Sequence, residues 1–163
     1  MNNIAFQDYY PDELSHCYGC GKNNEQGHQL KSYWYQDEQN QGNIDKTIAH
    51  FTPQPCHTAI PGFVYGGLLA SLIDCHGTGS AAAIAYRYAE REMGTQPAFR
   101  FVTGALNVNF LAPTPMGVEL QLIGSFIEVK PNKVIVDITL SANNVIFVKG
   151  SVIAVKMPAS FIS

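Results

Sequence analysis

Residues 57–78 read His57-Thr-Ala-Ile-Pro-Gly-Phe-Val-Tyr65-Gly66-Gly67-Leu-Leu-Ala-Ser-Leu-Ile-Asp74-Cys-His76-Gly77-Thr78. Proline and glycine punctuate the first part, which reads as loop. From Tyr65 to about Ala89 there is no proline, and Leu68, Leu69, Leu72, Ile73, Ala83 and Ile84 recur at helical spacing. This is the only long helix the sequence supports. Gly66 and Gly67 open it, and Gly77 and Gly79 interrupt its middle. Each interior glycine costs about 1 kcal/mol against alanine. Four of them imply the close approach of another backbone or a ligand.

Outward from this helix the pattern changes to period two. On the N-terminal side, Leu30–Tyr35 and Ile44–Phe51 read as strands, with Gln36–Asn43 as a hairpin loop. Residues 1–27 read as an irregular cap with turn signals at Gly19, Gly21 and Gly27. On the C-terminal side, Phe99–Leu111 is a long strand stopped by Pro113 and Pro115. Val118–Val129 follows, with Val118, Leu120, Leu122 and Phe126 on one face, then Lys133–Ala142 after a Pro131-Asn132 turn. Asn143-Asn144 is a tight-turn signal, and Val145–Met157 is the last strand. The fold class is therefore α+β, one domain over residues 1–163. An antiparallel sheet wraps around one long central helix and leaves its outer face and an edge to a partner.

Composition narrows the function. Hydrophobic residues make up 46% and charged residues 14%, which excludes a disordered chain. Ten basic against thirteen acidic residues give a net charge of −3, so no nucleic-acid partner is expected. The polar, acidic first sixteen residues lack a signal-peptide core, and no stretch reaches about 18 consecutive apolar residues, so no membrane partner is expected. The expectation is a cytoplasmic protein whose cysteines 17, 20, 56 and 75 are thiols.

Two features of the helix carry chemistry. Its first amides, at Gly66 and Gly67, face no intrahelical acceptor and sit at the positive end of the helix dipole. Glycine there lets a carbonyl oxygen approach, as an oxyanion site requires. Asp74 is a poor helix-interior residue with small neighbours, Ala70, Ser71, Gly77 and Thr78. On an interior helix it is partly buried, which raises a carboxylate's pKa and suits it to act as base or nucleophile. His76, two residues on, points about 200° away round the helix and reads as a packing histidine.

A helix that opens on Gly-Gly and carries Asp seven residues after the second glycine resembles the hotdog-fold acyl-CoA thioesterases of the phenylacetate-pathway type. The strand-strand-helix-four-strand order fits that fold along nearly the whole chain. The lead-in Cys17-Tyr18-Gly19-Cys20-Gly21-Lys22-Asn23-Asn24-Glu25-Gln26-Gly27 is similar to a Cys-Gly-x-x-Asn-x-x-Gly segment of many members. The resemblance implies hydrolysis of an acyl-CoA thioester. Asp74 would attack the thioester or activate water, Gly67 N–H would polarise the carbonyl, and Gly66 would lie beside it. Thr78 matches a hydroxyl near the reacting water in some members, and His57 a histidine of a subset with His-x-x-x-Pro-Gly before the glycines. Tyr65 stands where the family usually has histidine, so it becomes a substrate-side group that can only donate or weakly accept. The loop also lacks the asparagine that many members use to hold water.

Cys17-x-x-Cys20, with His16 beside it, raises a metal reading. Zinc needs four ligands, and Cys56, His57 and His28 form no second pair, so the segment reads as a packed cap and no metal or redox cofactor is expected. Lys130, Asn132, Lys133, Arg87, Arg91 and Arg100 are the candidates for CoA phosphates. Two alternatives stand beside hydrolysis. One is a hotdog dehydratase or hydratase, which His50-Phe51-Thr52-Pro53 and Pro61-Gly62 resemble weakly; the other is a non-catalytic acyl-CoA-binding protein. Asp74 lies seven residues beyond Gly67, about 10 Å along the axis. Both groups must come within about 3 Å of the reacting atoms, so the reading pairs Gly67 of one chain with Asp74 of another, in a homodimer or a dimer of dimers.

Overall fold

The structure is a computed structural model, and it describes residues 3–36 and 45–162. The expected Gln36–Asn43 loop, apart from Gln36, lies outside the described residues, as does Ile44. The strands are β1 Ser32–Trp34, β2 Lys46–Phe51, β3 Phe101–Phe110, β4 Leu120–Lys130, β5 Lys133–Ala142 and β6 Val145–Lys156; the helix α1 is Gly66–Tyr88. All neighbouring pairs are antiparallel, in one sheet of order β1-β2-β4-β5-β6-β3. The N-terminal cap is more regular than its sequence implies, with 3₁₀ turns at Phe6–Tyr9 and Asp12–Leu14.

The sheet curls around α1. Leu68, Leu69, Leu72 and Ile73 of the helix are buried together with Leu120, Leu122, Val136, Ile138, Val148 and Val152 of the strands. Each such side chain contributes about 1.5–3 kcal/mol by leaving water. By length and composition α1 could cross a membrane, but 78% of its apolar window is buried inside the domain, as in a core helix. The two mid-helix glycines serve packing against side chains, rather than the backbone or ligand their number implied. A Cβ on Gly77 would lie 2.5 Å from Val152 of β6, and one on Gly79 would lie 2.7 Å from the Gln7 amide of the cap.

The hairpin between β5 and β6 follows from Asn143 and Asn144, both at positive φ (50° and 63°), a two-residue turn that asparagine tolerates. A break in the period of β3 could not be read from the sequence. Thr103 pairs with Ala154, Ala105 with Ile153 and Leu106 with Val152, so Gly104 is an unpaired bulge. Cross-strand partners share a face, and Ala154 and Val152 are both fully buried. Thr103 and Leu106 therefore both face the helix although one is odd and one even. Without the bulge, one half of β3 would turn its side chains outward.

Candidate active site

The loop before α1 is tied down by its backbone. Tyr65 N–H donates to the His57 carbonyl at 2.8 Å, and Thr58 bridges to Val64. This hairpin-like entry delivers Gly66 and Gly67 to the first turn of α1, where Gly67 is exposed. The Tyr65 ring, 57% exposed, folds over Gly67: a Cβ there would lie 2.4 Å from the Tyr65 ring and 2.5 Å from its hydroxyl. Gly66 faces the Phe110 ring of β3, 3.6 Å from a built Cβ.

Asp74 lies two turns further along α1, half-buried, and accepts a hydrogen bond from Thr103 Oγ1. The bulge at Gly104 is what aims Thr103 at it. Burial raises the carboxyl's pKa, the Thr103 hydrogen bond lowers it, Cys17 raises it and Arg100 lowers it. Burial is the largest of these, so the proton is held more tightly than on a free aspartate. Thr78, one turn on, is buried and donates to the Asp74 and Cys75 carbonyls of its own helix, at 3.3 and 3.4 Å. Asp74 and Thr78 are thus brought together, while Gly67 remains at the other end of the same helical segment.

His57 ends a short 3₁₀ turn, Pro55–His57, and its Nδ1 accepts the Gln54 N–H at 2.9 Å. That fixes the proton of the neutral ring on Nε2. The ring meets His28 at 5.1 Å and Phe51 at 5.7 Å, in a cleft of about 460 Å³ that also holds Tyr18 and Cys56. His28 is held below the ordinary histidine pKa by burial and by His57.

His76 is fully buried. Its Nδ1 is 2.9 Å from Ser32 Oγ and its Nε2 3.2 Å from Thr47 Oγ1. Ser80 and Gln7 extend the network, and burial pushes the ring's pKa down to about 4.

Two residues of the site, Thr103 and Cys75, could not be identified from the sequence. Thr103 gave no signal, because its inward aim depends on the bulge. Cys75 was visible beside Asp74 but paired with nothing by spacing; the structure sets it against Cys17 and Cys20, with the three sulfurs within 4.8 Å of one another. This corrects the set of possible partners for that pair: Cys56, His57 and His28 are not in the cluster. Arg100 lies near these thiols, over the Tyr10 ring at 4.7 Å.

Most of the candidate phosphate ligands are engaged within the chain. Arg87 pairs with Asp45 and stacks on Trp34, Arg91 donates to the Thr95 and Pro97 carbonyls, and Lys130 and Lys133 both pair with Glu128.

A family profile described as the thioesterase superfamily matches residues 61–145, from the loop before α1 to the start of β6. A thioesterase superfamily protein from Shewanella loihica is 52% identical over 91% of this chain and 100% of its own, with a TM-score of 0.64. Two more distant structures share the fold. A Streptococcus mutans protein bound to acetyl-CoA is 17% identical, over 69% of this chain and 81% of its own, with a TM-score of 0.54. The E. coli PaaI protein of the phenylacetic acid degradation operon is 17% identical, over 69% of this chain and 73% of its own, with a TM-score of 0.53. No curated protein matches the chain. The wrapped sheet is thus the hotdog fold, and the chain belongs to the thioesterase superfamily.

Proposed function

We propose that the protein hydrolyses an acyl-CoA thioester to the free acid and CoA, at sites shared between two copies of the chain. The observation that carries this reading is Asp74: a half-buried carboxylate with a raised pKa, held by one hydrogen bond on a core helix beside an open sheet edge. Such a group can take a proton from water or attack a carbonyl carbon. Gly67 N–H, at the helix start, stabilises the negative oxygen of the tetrahedral intermediate. Thr78 donates its hydroxyl hydrogen to the helix, so its oxygen can accept a hydrogen bond from a water beside Asp74. His57, with Nε2–H as donor, and Tyr65, with its exposed hydroxyl, serve the substrate side. CoA as the carrier is supported by the fold relative bound to acetyl-CoA.

Dimerisation is supported by the edges of the sheet. β1, at one edge, has three residues; β3, at the other, has ten, and residues 103–107 are exposed. A long unpaired edge with exposed Leu106 and Phe110 invites a second copy. The edge strand carries Thr103, so a partner there would bring its own helix start toward Asp74. The hydratase alternative has less support, since neither the helix histidine nor the histidine of the segment that resembles such enzymes is placed to react. His76 is sealed with both nitrogens engaged, and His50 lies on the sheet surface 3.1 Å from Glu119.

The test is release of free CoA across a panel of short, long and aryl acyl-CoA thioesters. Turnover of at least one class supports the reading. Binding without thiol release supports the non-catalytic alternative, and hydration of crotonyl-CoA supports the hydratase.

A further inference from the structure

We propose that Cys17, Cys20 and Cys75 form a binding site for a thiophilic divalent cation, Zn²⁺, that staples the N-terminal cap to α1 beside Asp74. Three geometric observations carry this. First, the Cys17 and Cys75 sulfurs are 3.8 Å apart, and all three lie within 4.8 Å of one another. A tetrahedral zinc with Zn–S bonds of about 2.3 Å sets its sulfurs about 3.8 Å apart, whereas a disulfide needs about 2.05 Å.

Second, the segment Cys17-Tyr18-Gly19-Cys20-Gly21 is folded as a tight knuckle. Gly21 N–H donates to the Cys17 carbonyl at 2.7 Å, which closes the turn that brings Cys17 and Cys20 together. Both glycines are required by space. A Cβ on Gly19 would lie 2.3 Å from Cys75 Sγ, and one on Gly21 would lie 2.5 Å from the Cys17 N and the Ser15 carbonyl. The loop is therefore shaped around the third sulfur.

Third, Arg100 is partly buried beside the cluster, and no carboxylate lies within ion-pair distance of it among the described residues. Three thiolates and one Zn²⁺ carry a net charge of −1, which the guanidinium balances. In binding, the three thiols release three protons, three Zn–S bonds form, and one water completes the tetrahedron. Cys17 is partly exposed while Cys20 and Cys75 are buried, so entry is from the Cys17 side.

The test uses the full chain, reduced, freed of metal with a chelator and titrated with Co²⁺ alone. A near-ultraviolet sulfur-to-cobalt band should saturate at one Co²⁺ per chain, vanish on addition of Zn²⁺, and persist in Cys56→Ser. It should be lost in Cys17→Ser and in Cys75→Ser. Because Cys75→Ser alters a buried position, Zn²⁺ is also added to the wild type, whose Tm should rise by about 5 °C or more. No band and no rise in Tm, or a band kept in both variants, overturns the site. A Cys17–Cys75 disulfide that forms in air despite stoichiometric Zn²⁺ also overturns it, in favour of a redox pair.

Discussion

Asp74 and His76 are two residues apart on one helix and meet opposite fates. His76 points into the side of the core covered by β1, β2 and the cap, where Ser32 and Thr47 take both of its nitrogens. Asp74 points toward β3, the open edge, where Thr103 takes one oxygen. Burial shifts both toward the neutral form, His76 downward and Asp74 upward. A polar group sealed with all its partners stabilises and specifies the fold, whereas one left half-open at an edge retains the capacity to react. The sheet order decides which is which.

The largest expected effect is on Asp74. Asp74→Asn should lower kcat by about 10²-fold or more, since the amide neither takes a proton nor attacks. Its stability should move the other way. A carboxyl whose folded pKa is raised favours the protonated fold, and that contribution is lost as pH rises through the folded pKa. At neutral pH the ionised aspartate therefore costs stability, and the neutral amide should melt at the same temperature or higher. A variant with near-wild-type kcat would remove the carboxylate from the mechanism.

His76 should show the reverse, stability without chemistry. The unfolded ring takes a proton near 6.5, the folded ring only near 4. Between those values the unfolded chain binds more protons, so this group's stability is lost as pH falls from 6.5 to 4, by about 3 kcal/mol in all. Denaturant melts across that window check it. His76→Leu should flatten the dependence and cost about 2–4 kcal/mol, because Ser32 and Thr47 lose a buried partner. The fraction that folds should keep kcat within a few-fold; a collapse of kcat in folded His76→Leu would break the contrast.

The sharing of sites between copies gives a smaller effect that is more diagnostic. Gly67→Val and Asp74→Asn chains, each nearly inactive and each shown to fold, are mixed and allowed to exchange. Half the dimers are mixed, and each holds one intact site, so about a quarter of wild-type activity should return. Fully exchanged mixtures that stay inactive would place the whole site within one chain.

The smallest effect expected is at Thr103. Thr103→Val removes the hydrogen bond that favours ionised Asp74, so the acid limb of the kcat/KM profile should move to higher pH. On that limb the loss should be roughly five-fold, the size of about 1 kcal/mol, with little change on the plateau above it. An unmoved limb would mean that Thr103 does not tune the base.

The contrast between Asp74 and His76 was half legible in the sequence. Their angular separation follows from 3.6 residues per turn, so opposite faces were certain once the helix was identified. The helix and the last four strands were likewise legible, because proline spacing and apolar period are local signals. Lys133–Ala142 begins and ends where its alternation does. The regular turns of residues 6–14 were not, since each is only three or four residues long.

What the sequence by itself determined is the inventory: one long helix opened by Gly66 and Gly67, an aspartate seven residues on, strands before and after, and a Cys-x-x-Cys lead-in. Only the tertiary structure decided which of these meet. β3 returns to the sheet edge beside β6, and the bulge at Gly104 turns Thr103 onto Asp74. The cap folds back over α1 and sets Cys17 and Cys20 against Cys75, 58 residues from Cys17 in the chain. The physical reason is that period and spacing report how a segment lies against its own neighbours. Contacts between distant segments depend on strand order, register and one unpaired residue in a strand, and none of these has a local signature.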